Sequence, residues 1–259
     1  MLPMSKSKNN NNNSFDFFQI VILVALIVSF FFIGQLWTKV NKLEDGEAIA
    51  VDTEATSAEK EMAKVAVSLG IKEEDFLECL SSEEIKNRVD EEAKMGADSG
   101  VSGTPGNFLI DTQDNFAVFV PGAFPYEVLD TMVSVVTSGD KAAAESAIAE
   151  ADETDPLSAL TVVDTAEIAG LKDIDFVRGD KNSPVYLVEY SDYDCPYCGR
   201  FHSTSKQLVE EGKIAWVYRQ FPLPQLHPDA ETKSAAGICA GELGGNDAFW
   251  AFSDALLIE

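Results

Sequence analysis

Val185-Tyr186-Leu187-Val188-Glu189-Tyr190 leads within five residues into Cys195-Pro196-Tyr197-Cys198, and no other feature constrains the fold as much. A continuously apolar run is typical of a strand covered on both faces. The pattern after Pro196 predicts a helix to about Glu211. A second apolar run, Ile214-Ala215-Trp216-Val217-Tyr218, completes a βαβ unit with parallel strands and a right-handed crossover. Two cysteines at this spacing on the first turn of a helix can close a small disulfide ring. The outer sulfur, Cys195, faces the positive end of the helix dipole and several free N–H groups, which stabilise its thiolate. Cys198, one turn deeper, is placed to attack a mixed disulfide on Cys195. This predicts thiol-disulfide exchange, while a metal half-site or an inert pair stays open. Zinc takes four ligands, and Cys79, Cys239, His202 and His227 are scattered, so no metal is assigned. A metal-binding module would use His202, one turn beyond Cys198. Glu189, the one charge in its strand, reads as a buried acid near the cysteines, against a hydrated edge carboxylate.

The 259 residues, 46% of them hydrophobic, can bury one good core or two small ones. Phe17 to Thr38 carries no charge and is long enough to cross a hydrocarbon layer of roughly 30 Å. It reads as an uncleaved anchor, because Ile33-Gly34-Gln35-Leu36-Trp37 offers no small-residue cleavage site. Lys6 and Lys8 precede it and Lys39 and Lys42 follow, so flanking charge barely sets its orientation. Cysteine usage places the body in an oxidising compartment. Asn9 to Asn13 belong to a disordered tail. A formal charge of −25 argues against nucleic acid as a partner.

Beyond the anchor, Thr56 and Glu59 form a capping box ahead of Met62, Val65, Ala66 and Leu69 at helical spacing. A short helix carries Phe76, Leu77, Cys79 and Leu80. Ser81 with Glu84 opens a third, which buries Ile85, Val89 and Ala93. The period then changes: Asn107 to Asp111 and Phe116 to Val120 read as a hairpin, followed by a helix from Pro125. Ser138 to Lys172 has no sustained strand pattern and reads as a linker with a short exposed helix near Lys141 to Ala151. Two helices, Asp229 to Ala240 and Asp247 to Leu257, end the sequence.

Gly179 to Pro184, Val188-Glu189-Tyr190-Ser191-Asp192-Tyr193-Asp194-Cys195-Pro196-Tyr197-Cys198, Phe201-His202, His227-Pro228-Asp229-Ala230, Cys239-Ala240 and Phe249-Trp250 resemble the N-terminal half of a DsbA-like thioredoxin-fold oxidoreductase. Leu69-Gly70, Phe76 to Leu80, Gly100-Val101-Ser102-Gly103-Thr104-Pro105, Val120 to Ala123 and Tyr126 resemble that family's C-terminal half, here placed first. The halves are complementary and neither is duplicated. The fold class expected is therefore α/β, a thioredoxin-like fold with a helical insertion, circularly permuted, plus an N-terminal transmembrane helix. The competing account is two incomplete domains of a tandem protein. The expected organisation is a tail at 1–16, an anchor at 17–38, a linker at 39–55, the family's C-terminal half at 56–137, an acidic linker at 138–172 and its N-terminal half at 173–259. The sheet expected has four strands, with a fifth near Ile174 to Val177.

With the anchor and the oxidising compartment read above, the resemblance implies a membrane-anchored, extracytoplasmic oxidase that introduces disulfides into reduced exported proteins. A reductase or isomerase on the same fold is the alternative. Cys195, Cys198 and Glu189 would be catalytic, Glu189 exchanging a proton with Cys198 through water. Pro196, Tyr197, Thr104 and Pro105 would meet the substrate, with the Thr104–Pro105 bond cis. Cys79 and Cys239 would form a structural disulfide. The redox partner implied is a DsbB-like or vitamin-K-epoxide-reductase-like (VKOR-like) membrane protein. No organic cofactor is expected, since no dinucleotide fingerprint or phosphate loop occurs. The location expected is the cell membrane, single-pass, with the catalytic domain outside.

Overall fold

Three short helices at the start of the folded part form one side of a helical subdomain. The structure is a computed structural model and describes residues 55–113 and 116–257. The expected tail at 1–16, anchor at 17–38 and all but the last residue of the linker at 39–55 lie outside the described residues. Among the described residues, no helix is long and apolar enough to cross a membrane.

Helix α1, Ser57–Ser68, starts from a reciprocal box in which the Glu59 N–H donates to the Thr56 hydroxyl and the Thr56 N–H donates to the Glu59 carboxylate. Its inner face buries Met62, Ala63 and Ala66. Helix α2, Glu73–Ser81, buries Phe76 and Leu80. Helix α3, Glu83–Asp98, is capped by Ser82 rather than by Ser81. Ser81 instead donates back to the Glu78 carbonyl and finishes α2. The buried line of α3 is Ile85, Val89, Glu92 and Gly96, with Ala93 only half-buried. Glu92 turns inward because its carboxylate accepts the Gln220 backbone N–H on one oxygen and Arg88 Nε on the other. A Cβ at Gly96 would stand 2.7 Å from the Tyr190 ring, so glycine lets α3 approach the sheet.

Strands β1, Gly106–Asp111, and β2, Phe116–Pro121, form the hairpin. Helices α4, Tyr126–Thr137, and α5, Lys141–Glu150, follow, then β3, Thr161–Asp164, and β4, Val177–Arg178. Strand β5, Val185–Ser191, helix α6, Pro196–Glu210, and strand β6, Ala215–Gln220, make the parallel βαβ unit. Helix α7, Ala230–Leu257, is broken at Gly245 (φ 82°, ψ −177°), a conformation that suits glycine, so it acts as two segments.

The sheet has six strands in the order β3-β2-β1-β5-β6-β4, two more than the four expected without the near-Ile174 strand. One addition, β4, falls at the end of the anticipated Ile174–Val177 segment and pairs with β6. The other, β3, comes from the supposed linker and pairs antiparallel with β2 from Phe116↔Asp164 to Phe119↔Thr161. Residues 138–172 are thus built onto the domain: α5 buries Ala144, and the stretch from Ala169 is held by Arg219. That buried guanidinium donates to the Ala169 and Gly170 carbonyls, to both Asp175 oxygens and to the Tyr190 hydroxyl. Four-residue β3 is only half-buried, so it shows no apolar alternation strong enough to read.

The two halves meet along β1 and β5, which pair antiparallel from Gly106↔Tyr190 to Asp111↔Val185. One sheet face packs on α4, α6 and the end of α7 through Leu109, Leu187, Trp216, Met132, Phe201 and Phe249. The other carries Phe108, Val188, Tyr190 and Val217. A separate apolar cluster joins α1, α2 and α3 to α7. Within it, Cys79 of α2 is disulfide-bonded to Cys239 of α7, 160 residues apart in sequence. A closed loop of that length gives roughly 5 kcal/mol by loop entropy alone. The double variant Cys79→Ser/Cys239→Ser is expected to lose about 2–5 kcal/mol in urea unfolding of oxidised protein. Stability equal to that of the parent would remove the bond from any structural role.

Candidate active site

The turn that delivers the cysteines is fixed by a buried aspartate. Asp192 accepts the Asp194 N–H on one oxygen, and the Leu223 N–H and His227 Nδ1 on the other. It thereby ties the end of β5 to the loop after β6. Cys195 then caps α6 in an extended conformation, with Pro196 at the first helical position, where no N–H is lost. The Tyr197 and Cys198 backbone N–H groups are directed at the Cys195 sulfur. Cys198 lies one turn deeper and is fully buried, while Cys195 retains 6% exposure.

Cys195 Sγ stands 3.4 Å from the Thr104 carbonyl oxygen, next to the cis Thr104–Pro105 bond. Pro196 and Tyr197 flank the same sulfur, and Tyr197 is 56% exposed with the Arg200 guanidinium 4.5 Å from its ring centre. On one side of Cys195 opens a cleft of about 490 Å³ whose wall includes Asp194, Arg200, Lys233 and Leu256. Asp194 and Lys233 form an ion pair there. On the other side, Thr104 and Pro105 border a shallower pocket with Phe119 and Pro121.

The two thiols are strongly unlike. A hydrogen bond from the Cys198 thiol, with Thr104 and the helix N–H groups adding to it, holds the Cys195 pKa well below the ordinary thiol value against the cost of burial. Burial pushes Cys198 the opposite way, and its bond to Cys195 and the charge of Glu189 add to that rise. Glu189 is fully buried in the middle of the sheet, between Asn107 of β1 and Tyr218 of β6, not at a hydrated edge. Its Oε1 accepts from Ser191 Oγ at 2.6 Å and its Oε2 from Trp216 Nε1 at 3.0 Å. Burial pushes its pKa up to about 8, with these two hydrogen bonds pulling the other way.

Cys195, Cys198, Glu189, Pro196, Tyr197, Thr104 and Pro105 therefore share one region, and Cys79 and Cys239 lie apart in the helical cluster. The histidines are engaged elsewhere. His202 is buried, bonds Asp254 through Nε2 at 2.6 Å and sets its ring 4.8 Å from that of Trp216; His227 faces Asp192. Among the described residues, no three His, Cys, Asp or Glu side chains group as a metal site. Sequence reasoning missed Ser191, Trp216 and Asp192. Alternation along β5 puts Ser191 on the Glu189 face, but Trp216 reaches Glu189 only through the register of β5 on β6.

Residues 46–134 match the DSBA-like thioredoxin domain family, and residues 172–258 match a thioredoxin family. The described domain thus has a mixed α/β thioredoxin-like fold, with a DSBA-like match in its first half and a thioredoxin match in its second. Among curated relatives, the Na(+)/H(+) antiporter NhaA 1 of Salinispora arenicola is 41% identical over 86 residues, 33% of this chain and 13% of the antiporter. An NhaA 1 antiporter of Mycobacterium sp. strain KMS is 37% identical over 73 residues, 26% of this chain and 12% of its own. A candidate protein-disulfide oxidoreductase of Rickettsia bellii is 33% identical over 88 residues, 32% of each chain. This chain spans at most about a third of the length of these relatives.

Between the unfolded carboxyl value of about 4.3 and about 8, folded protein keeps a proton on Glu189 that the unfolded chain has released. The stability tied to that group is complete below the lower value and is lost as pH rises through the upper one. Glu189→Gln is therefore expected to unfold at higher temperature than its parent at pH 9, with a smaller difference at pH 5. Parallel melting curves across that range would contradict the assignment.

Proposed function

We propose that the protein is a thiol-disulfide oxidoreductase and, more narrowly, a DsbA-like oxidase acting on reduced exported proteins. The observation that carries this reading is the unequal cysteine pair: Cys195 at the helix start, 3.4 Å from the Thr104 carbonyl beside Pro105, and Cys198 sealed behind it. In the oxidised form, a substrate thiolate attacks Cys195 Sγ, the Cys195–Cys198 bond breaks, and its electron pair leaves on Cys198. A second substrate thiolate then attacks the substrate sulfur of the mixed disulfide and expels Cys195 as thiolate. A stabilised Cys195 thiolate is a good leaving group and makes the dithiol the favoured product, which supports the oxidising direction. The relative from Rickettsia bellii is named for this chemistry; transport is not carried over from antiporters that share 12–13% of their length with this chain.

The proposal places Phe17 to Thr38 in the membrane, the domain on its extracytoplasmic side, and a DsbB-like or VKOR-like membrane protein as the electron acceptor. Purified oxidised protein should restore activity to a reduced, unfolded disulfide-containing test enzyme, and Cys195→Ser should abolish this. Cys198→Ser should accumulate a substrate-linked adduct on Cys195, visible on non-reducing gels. An equal rate from Cys195→Ser would refute Cys195 as the sulfur that the substrate attacks.

The order of the halves is read as a circular permutation of one domain. The β1–β5 ladder and the family matches in reversed order support that reading over a tandem of incomplete domains. Proteolysis at the exposed Asp152–Thr154 turn is expected to leave both pieces in one active particle after reduction. Their separation into two inactive fragments would decide for the tandem.

A further inference from the structure

The sequence holds four arginines, and three of them are bound to carboxylates: Arg88 to Glu92 and Glu242, Arg178 to Asp254, and Arg219 to Asp175. Arg200 is the exception. In a chain with 44 acidic residues against 19 basic ones, its guanidinium has no carboxylate partner among the described residues. It lies instead 4.5 Å from the Tyr197 ring centre, and both side chains are exposed. The ring supports the cation without neutralising it and accepts none of its in-plane N–H groups, which are the groups that bind a carboxylate as a two-bond fork.

Arg200 belongs to the wall of the cleft of about 490 Å³ beside Cys195. Gly199, Arg200 and Ser203 give this cleft one face of α6, since residues three and four apart are neighbours on a helix. Leu257, at the end of α7, and Lys233, in its first turn, supply other walls. A Cβ at Gly199 would stand 3.1 Å from the Leu257 carbonyl oxygen, so glycine lets the two helices meet closely there. The charged residues of the wall are Arg200, Lys233 and Asp194. Lys233 and Asp194 pair with each other, and Arg200 therefore supplies the surplus positive charge, next to the exposed cysteine of a chain whose net charge is −25. Exposed charges more than about 10 Å away are largely screened at about 0.1 M salt, so an anion inside the cleft meets Arg200 more than it meets the acidic body.

We propose that this cleft is a subsite for an aspartate or glutamate of the protein substrate, close in sequence to the cysteine that reacts with Cys195, and that Arg200 binds its carboxylate. The inference rests on the oxidoreductase reading and adds a substrate preference to it. Five residues of helix separate Cys195 from Arg200, about 7.5 Å along the axis, which is the length of about two residues of extended chain. The acid therefore belongs about two residues from the substrate cysteine. Ser203, on the same face of α6, offers a hydroxyl to the same carboxylate. Arg200 makes and breaks no covalent bond: it holds the substrate segment while thiol and disulfide react at Cys195. An exposed ion pair is weak by itself, so the subsite sets a preference among substrates and not an absolute requirement.

The test uses the oxidised full chain and short dithiol peptides of equal length that carry Glu, Gln or Lys two residues from each cysteine. A charge near a thiol alters that thiol's own reactivity, so each rate is divided by the same peptide's rate with a small free disulfide. The Glu peptide is expected to be oxidised about three- to tenfold faster than the Gln peptide, in line with a charge-assisted bond at an exposed site, and the Lys peptide more slowly than either. Arg200→Gln should bring the Glu and Gln peptides to one rate. Arg200→Lys should keep part of the preference, because it keeps the charge and loses the fork, and Arg200→Glu should turn the preference towards the Lys peptide. Raising the ionic strength from about 0.1 M to about 1 M, which shortens the screening length from about 10 Å to about 3 Å, should shrink the parent's preference, a measurement that needs no variant to fold. Equal parent rates for the Glu and Gln peptides, or a preference that survives Arg200→Gln, would overturn the subsite. An Arg200-dependent rate with glutathione and with none of the peptides would give the cleft to a small thiol acid and overturn it as well. If the parent oxidises none of the peptides faster than a small free disulfide does, the oxidoreductase reading falls and the subsite with it; fast oxidation without charge preference sinks the subsite alone.

Discussion

The antiparallel ladder between Gly106–Asp111 and Val185–Ser191 supports every contact in the candidate site. It brings Thr104, which precedes β1, to within 3.4 Å of Cys195, which follows β5, across 91 residues of chain. Its register also decides which side chains enter the core. Side chains alternate faces along a strand, so a slip of one residue would send Glu189 and Ser191 to the opposite face. Side-chain bonds resist that slip. Asn107 opposes Glu189 in the ladder and donates to the Val120 and Gly122 carbonyls, which ties register in β1 to register in β2. On the far side, Trp216 of β6 donates to Glu189. Three adjacent strands thus fix one carboxylate.

That placement sets the electrostatics. Three acids crowd the start of α6, and their surroundings drive them apart. Cys195 has the helix N–H groups, Thr104 and the Cys198 thiol to stabilise its anion. Cys198, deeper by one turn, meets mainly the cost of burial. Glu189 has two donors, and burial still outweighs them. Separated ionisation of neighbouring acids is what a proton-coupled exchange needs: a sulfur that leaves as anion, a sulfur that must be protonated or deprotonated, and a carboxyl near neutrality to serve it. The cost is a buried acid whose ionisation opposes folding.

How much of this could be read from the residues follows from the range of each interaction. The βαβ unit, the hairpin and the Thr56 cap are local patterns of period and capping, and they stand within a residue or two of where the sequence puts them. The start of α3 went to Ser82 because two adjacent serines compete for one cap, and only three-dimensional placement assigns Ser81 to α2. Strand β3 was illegible because its order comes from β2 and from the Arg219 clamp on Ala169 and Gly170, neither of which leaves a trace in four half-buried residues. In the site, Cys195 and Cys198 declare themselves by spacing, and Glu189 by being the one charge in an apolar run. Thr104 and Pro105 came from family resemblance. Ser191 and Asp192 look like ordinary turn residues, and their roles depend on where β6 and its following loop pass.

The surface poses a separate constraint. A chain of net charge −25 raises the cost of holding one more anion, yet the site depends on a thiolate at Cys195. Screening confines the problem, since charges beyond about 8 Å are largely damped at physiological ionic strength, so the nearest groups decide. Those include cations: Lys233 and Arg200 line the cleft beside Cys195, and the His227 pKa is raised by its hydrogen bond to Asp192, with Cys195 adding to the rise. Lys233 is paired with Asp194, which nearly cancels its field at a distance while keeping its ammonium at the cleft wall. Arg200 is held over the exposed Tyr197 ring, an apolar contact that leaves the guanidinium charge unneutralised. The acidic body can therefore coexist with a stabilised thiolate because the stabilisation comes from the Cys198 thiol, Thr104 and the helix N–H groups beside the sulfur, where the remote carboxylates have little influence.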